Sequence, residues 1–364
     1  MKVKELLNTI NRFAPFFLQE NYDNSGLQIG DLETEITKIA LALEVTNESI
    51  EFALRNNANV LLTHHPILFF STKSVIKQEK PFLYKALING LNLIAAHTNF
   101  DIAENGLNDY VGNLLGINKR RPIQSANEKI FKFSFYVPRE YVDKVKEAIF
   151  SAGAGVIGNY DRASFNIDGI GTFRPLENTH PFIGEKGKVS YVSEVKVETV
   201  VRERYLQDVV NALLGAHPYE EPAYDIYELR INNRIGIGMV GNVRSFTSLE
   251  NFADFVKDKL NAEYVRIVKS SDVSINTVAF CSGAGGTLLE TVAKLGVDTF
   301  ISGDITYHTA VRAKELGLNL IDVEHFDSEK FFKQAMFEQL IRSGISENMI
   351  TLYNEESSPF KIIK

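Results

Sequence analysis

Sulfur chemistry is almost absent from this chain. Cys281 is the only cysteine among 364 residues, which excludes an intrachain disulfide and any cysteine cluster for zinc. A metal, if held, needs nitrogen and oxygen ligands. Excess positive charge is absent too: 39 Lys and Arg stand against 46 Asp and Glu, a formal net charge of −7, so bulk electrostatics gives nucleic acid no footing. No uninterrupted apolar run approaches the ~20 residues of a membrane-spanning helix. The opening MKVKELLNTINRF carries Asn, Thr and Arg where a secretory signal is apolar. The expectation is a soluble cytoplasmic protein without membrane contact. What remains is 45% hydrophobic and 23% charged, the balance of a folded chain with length for two or three domains.

The stretch with most chemistry is Asn59-Val60-Leu61-Leu62-Thr63-His64-His65-Pro66. Val60 to Leu62 is a short continuous apolar run, the pattern of a parallel strand buried on both faces, although periodicity alone leaves a buried helix open. Adjacent residues of a strand point to opposite faces. For both imidazoles to face one cavity the chain must leave strand geometry at His65, and Pro66 favours that break. Ligands of open α/β sheets bind beyond the carboxyl ends of strands, where two imidazoles look like metal ligands. One core histidine beside one solvated histidine is the alternative this pair leaves open.

Along the chain, Val3 to Ala14 has helical spacing and stops at Pro15. The polar loop Tyr22-Asp23-Asn24-Ser25-Gly26 reads as a plain turn before a short strand. Strands are predicted at Ile39–Leu43, Val60–Leu62 and Leu91–Ala96, with helices between them, one capped near Thr46 to Ser49. That alternation favours a parallel sheet. The third strand ends in His97-Thr98-Asn99-Phe100-Asp101.

The composition changes near Arg120-Arg121-Pro122, and an internal repeat follows. Val137 to Tyr141 leads into a helix with Val145, Ala148 and Ile149. Val201 to Tyr205, offset by 64 positions, leads into one with Val209, Ala212 and Leu213. Each helix has a strand before it and another after it, which describes a ferredoxin-like module. The expected division is therefore 1–126 for the first half of a core, 127–234 for an inserted module and 235–364 for the second half. From Glu128 to Arg234 there are 14 Lys and Arg against 16 Asp and Glu, so the module is no basic arm for nucleic acid. His180 and His217, each followed by proline, read as structural.

Gly236-Ile237-Gly238-Met239-Val240-Gly241 has the spacing of a dinucleotide fingerprint without its context. The next helix is expected at Thr247, capped with Glu250, so the glycines read as close strand packing. Gly283-Ala284-Gly285-Gly286 is a better strand–loop–helix junction. Its amides could hold a phosphate, or its glycines could serve close packing. Cys281 reads as a small buried apolar residue.

Five of the seven histidines fall at predicted strand ends: His64, His65, His97, His308 and His325. Asp101, Asp304 and Glu329 lie close by, and Glu329 shares a helix face with His325. Parallel strands bring their carboxyl ends to one edge. Imidazole and carboxylate suit zinc, iron, manganese or cobalt. His64, His65, Asp101, His325 and Glu329 are the expected ligands. Five exceed the three of a single catalytic zinc and suit two ions sharing a carboxylate. His97 and His308 then serve proton transfer or support the ligands.

Tyr22-Asp23-Asn24-Ser25-Gly26-Leu27, Thr63-His64-His65-Pro66, His97-Thr98-Asn99-Phe100-Asp101, Ser302-Gly303-Asp304 and His325-Phe326-Asp327-Ser328-Glu329 together resemble the GTP cyclohydrolase I type 2 homologue family, also called NIF-three-like. Tyr22 departs from the tryptophan that many members carry. The resemblance implies an α/β fold: a core of mostly parallel sheets flanked by helices, with an inserted α+β ferredoxin-like domain of the PII or CutA kind. It also implies a dinuclear metal site on His64, His65, Asp101, His325 and Glu329, and a toroidal homohexamer. Two functions follow. One is a metal-dependent hydrolase that uses metal-activated water on a nucleotide or related small molecule, with two divalent ions per subunit, zinc first among them, and His97 carrying the proton. The other is a non-catalytic regulatory homo-oligomer that handles metal or senses a metabolite.

Overall fold

The computed structural model describes residues 1–126, 128–158, 160–230 and 235–363. The chain divides into two compact units, one of Met1–Ala126 with Arg234–Lys364, the other Asn127–Asn233.

The first unit holds two main sheets. One runs in the order Gly26–Ile29, Asn92–Ala95, Val60–Thr63, Ile39–Ala42, Ile350–Leu352. Its last four strands are parallel neighbours, and Gly26–Ile29 is an antiparallel edge. The three inner strands are buried at every position, which is why their sequences are continuous apolar runs rather than alternating ones. The other sheet runs Arg266–Val268, Asn319–Asp322, Thr299–Ser302, Ile275–Phe280, Met239–Phe246, Asn118–Arg121, with a parallel centre and antiparallel flanks. One apolar cluster joins both sheets, with Phe100, Phe252, Phe280 and Phe332 fully buried in it. The amphipathic Val3–Phe13 helix contributes Val3, Leu6 and Ile10.

Local chemistry sets the element ends. The Asn47–Arg55 helix is capped by Thr46, whose side chain accepts from the Ser49 amide. The N-cap expected at Thr247 falls one residue later: Leu249–Leu260 is capped by Ser248, whose hydroxyl accepts the Asn251 amide at 3.2 Å. Of the fingerprint-like glycines, Gly236 and Gly241 lie in strands where an added Cβ would meet Gln124 O at 2.0 Å and Asn118 O at 2.5 Å. Close backbone approach is their use. A two-strand ladder pairs Gln124–Ser125 with Gly236–Ile237, so the chain leaves the first unit and returns to it side by side.

In the second unit the strands order as Tyr224–Leu229, Ile130–Pro138, Ser190–Arg202, Ser164–Phe173, all antiparallel. The helices Val142–Ser151 and Leu206–Ala216 each follow a 3-10 turn at equivalent points of the sequence repeat. Both pack on one sheet face, against Phe133, Phe135, Val137, Val195, Val197 and Val201. Among the described residues no helix is long and apolar enough to cross a membrane.

The C-terminal segment is tied to the first unit by a buried ion pair, Lys333 with Glu356, whose side chains are 5% and 8% exposed. Glu356 also accepts the Leu43 amide at 2.7 Å and the Glu44 amide at 3.2 Å. Removing one partner strands a buried cation and two amide donors. Glu356→Ala is expected to cost about 3–5 kcal/mol in urea unfolding of this unit; a loss below about 1 kcal/mol contradicts that role.

Candidate metal centre

Two loops at strand ends and two short helices carry the centre. The Val60–Thr63 strand runs one residue beyond the predicted Val60–Leu62, the chain leaves it at His64 rather than at His65, and the Thr63 hydroxyl donates to the His65 carbonyl at 2.9 Å across the bend. His97 stands directly before the short Thr98–Ile102 helix that carries Asp101. His325 opens the helix His325–Glu329. The donors therefore come from the ends of two sheets, not from one sheet edge as the strand alternation suggested.

Each imidazole is pinned through Nδ1. His64 Nδ1 donates to the Ala96 carbonyl at 2.9 Å, since a carbonyl only accepts. His65 Nδ1 lies 2.6 Å from Glu44, His97 Nδ1 2.7 Å from Asp23 and His325 Nδ1 2.7 Å from Asp304. With Nδ1 committed, the Nε2 atoms face the centre. His65 and His325 Nε2 lie 3.4 Å apart, and Glu329 Oε2 is 3.0 and 2.9 Å from them. His64 Nε2 is 3.7 Å from both Asp101 Oδ2 and Glu329 Oε1. Donor atoms of His64, His65 and His97 lie within 4.8 Å of one another, as do those of His65, His325 and Glu329.

Two of these atoms, His64 Nε2 and Glu329 Oε2, are buried without a hydrogen bond. Oε2 is flanked by the His65 and His325 imidazoles at ion-pair distance. Orphaned buried polar atoms are costly, and here they converge with further lone pairs. This donor set fits divalent metal: neutral imidazole and carboxylate, each oriented by an outer partner. The five expected ligands are thus brought together, Asp101 through its contact with His64, and His97 joins them. His308 does not: it is exposed at the start of the Tyr307–Glu315 helix, its ring against Tyr307.

Without metal, protons occupy the centre. Burial opposes charge on His65, but Glu329 and Glu44 outweigh it and push the ring up to about 10. Burial likewise opposes charge on His325, which Glu329 and Asp304 push up to about 9. Burial raises Asp101, whereas Glu329 is held well below the carboxylate range against its burial, by His64, His325 and His65. Asp23 is also held far down against its burial, by bonds from His97, Thr98 and the Asn24 amide.

Asp23 shows that the loop read as a plain turn is part of the site. Its carboxylate accepts from His97, from the Thr98 amide at 3.0 Å and from the Ser25 hydroxyl at 3.2 Å. Glu44 was missed altogether. The later motifs have equally specific uses. An added Cβ at Gly303 would lie 2.8 Å from the Glu324 backbone, so glycine lets Asp304 reach His325. Gly283, at φ +61°, faces Glu329 Oε1, which a Cβ would approach to 2.3 Å. The Gly283 and Gly285 amides already donate to the Ser328 and Ser302 hydroxyls, each at 2.9 Å. The glycine loop is thus packing for the centre, with those two amides unavailable to a phosphate. Cys281 is buried, and burial pushes its thiol far above its ordinary range.

The Duf34/NIF3 (NGG1p interacting factor 3) family matches residues 1–358. The chain belongs to this family. Curated Duf34/NIF3 relatives named GTP cyclohydrolase 1 type 2 homolog include one from Halalkalibacterium halodurans, 35% identical with 98% of each chain covered, and one from Staphylococcus epidermidis, 32% identical over 99% of this chain and 100% of its own. A Bacillus cereus protein related to NIF3 superposes with a TM-score of 0.90 at 32% identity, covering 100% of this chain and 99% of the other.

Metal entering this Duf34/NIF3 centre has to displace protons. Because Glu329, with Glu44 or Asp304, raises His65 and His325 above their ordinary range, protons compete with metal for both rings at neutral pH. Zinc titration of metal-free protein is expected to release protons from both, and apparent affinity is expected to climb with pH between about 7 and 9. Calorimetry in buffers of different ionisation enthalpy reads the proton count; no release across that range contradicts the assignment.

Proposed function

We propose that this protein is a metal-dependent hydrolase acting on a nucleotide or related small molecule, with two divalent ions held by His64, His65, Asp101, His325 and Glu329. The observation that carries the reading is the convergence of donor atoms from His64, His65, His325 and Glu329, with His64 Nε2 buried without a hydrogen bond and the imidazoles anchored through Nδ1. Zinc suits these donors first, with iron, manganese or cobalt as alternatives. Ions bound there supply activated water and polarise a carbonyl, amidine or phosphoryl centre.

The chain's own residues do the rest. Glu44 and Asp304 orient His65 and His325 and raise their basicity as ligands. His97, fixed by Asp23 and beside the ligands, carries a proton between the centre and the substrate. A cavity of about 940 Å³ adjoins His65 and His325, with Thr46, Tyr264, Arg266 and Phe360 among its lining. That is room for a nucleotide-sized molecule. Its walls also carry Glu44, Asp304, Asp322, Glu324 and Glu356, a lining that favours a neutral cyclic amide or nucleobase end over a bare polyphosphate.

The assembly belongs to the same proposal: a toroidal homohexamer, as the family resemblance implies, with the inserted unit a ferredoxin-like module of the PII or CutA kind. Its strand order and paired helices support that reading. Cytoplasmic residence is part of it as well.

The test is turnover. Protein loaded with zinc or manganese, assayed against nucleotides and cyclic amides, is expected to hydrolyse at least one. His64→Ala and Glu329→Ala are expected to lower the rate by about a hundredfold or more while the assembly persists. No turnover with metal bound favours the regulatory reading, a metal- or metabolite-sensing homo-oligomer. Loss of assembly with the metal favours a metal-dependent scaffold.

A further inference from the structure

The second unit holds a recognition chemistry that the metal centre does not use. A cavity of about 480 Å³ lies between its sheet and the loops that follow Phe173 and Ala216. Tyr136, Phe173, Phe182 and Tyr219 line it. The Tyr219 ring lies 5.8 Å from Phe173 and 6.3 Å from Phe182, inclined to both.

A carboxylate shares this aromatic enclosure. Glu194 is 8% exposed, and its Oε1 accepts the Tyr219 hydroxyl at 2.8 Å. Its Oε2 stands over Gly171, where an added Cβ would lie 2.0 Å from it. Glycine at 171 keeps the space that the carboxylate occupies. Glu220 and Glu221 add negative charge to the lining, against one guanidinium, Arg174.

His217 braces the enclosure. Its Nδ1 accepts the Tyr219 amide at 3.1 Å, which leaves the proton on Nε2 to be donated to the Tyr136 carbonyl at 2.9 Å. Burial holds the ring below its ordinary range, in the neutral form that this pattern requires. The histidine that reads as merely structural thus fixes two of the four aromatic walls. A buried carboxylate is costly unless it is paired, and one hydroxyl bond is weak compensation for it. Aromatic rings attract positive charge through their quadrupoles.

We propose that this cavity binds a small organic cation with an alkylammonium head group, held by Glu194 and ringed by Phe173, Phe182 and Tyr219. The site lies wholly within the second unit, so it stands or falls independently of the metal centre. The volume is in the range of small-molecule pockets.

Titration of the full-length protein with choline, n-butylammonium and the neutral alcohol in which carbon replaces the choline nitrogen tests it, by calorimetry and by NMR shifts of the ligand. At least one cation is expected to bind saturably at one site per chain, roughly tenfold or more tighter than the alcohol. Glu194→Gln keeps the acceptor for Tyr219 and the side-chain shape but removes the charge, and is expected to abolish that preference. Phe182→Leu trims a half-exposed ring and is expected to weaken the cation severalfold; it carries the test if the buried variant fails to fold. Saturable binding of neither cation, binding no tighter than the alcohol, or affinity unchanged in the variants overturns the proposal.

Discussion

The first unit is organised around one constraint: imidazole Nε2 atoms and carboxylate oxygens are held close together with their lone pairs turned towards a common space. Each ring is locked by a partner at Nδ1, so none can swing away to relieve the crowding. The His65 and His325 Nε2 atoms lie 3.4 Å apart, an approach that a shared proton or a bound cation relieves. In the metal-free protein burial and, for His325, the neighbouring His65 oppose charge on the rings, but Glu329 with Glu44 or Asp304 outweighs this and raises both above their ordinary range.

Holding the donors in place is expensive, and the surrounding chain shows where the cost is met. Asp304, which bonds His325, and Glu324, directly before His325 in the chain, adopt positive φ angles of 52° and 59°, a conformation that costs about 1–3 kcal/mol for a residue other than glycine. Gly303 and Gly283 allow backbone to approach within van der Waals contact of Glu324 and of the Glu329 carboxylate. Ser302 ties the Cys281 and Gly283 carbonyls, and Ser328 ties Gly283 to the His325 carbonyl. From the far end of the chain, Glu356 fixes the Leu43 and Glu44 amides, and Glu44 in turn orients His65. The C-terminal segment thereby reaches the centre through two hydrogen-bond steps.

The residues proposed as ligands could be picked out because each sits where a recognisable local pattern ends. His64 and His65 close a continuous apolar run, His97 closes another, and His325 and Glu329 are spaced for one helix face. The inserted unit was legible because its two halves repeat at a fixed offset. The supporting roles of Asp23 and Glu44 were not. Asp23 lies 74 positions from His97 and Glu44 lies 21 from His65, and nothing local distinguishes either from a surface carboxylate. The strand alternation did not reveal that the donors come from two sheets, since each half reads alike as strand, helix, strand. The packing role of Gly283 depends on a side chain 46 positions later, which no turn rule anticipates. Thr247 and Ser248 are both capping residues, and their order in the sequence does not decide between them.

Anomalous diffraction from crystals grown with zinc addresses the central assignment most directly. The account predicts two peaks about 3.5–4 Å apart, enclosed by His64, His65, Asp101, His325 and Glu329. A zinc signal elsewhere on the protein, with none among these five side chains, contradicts it.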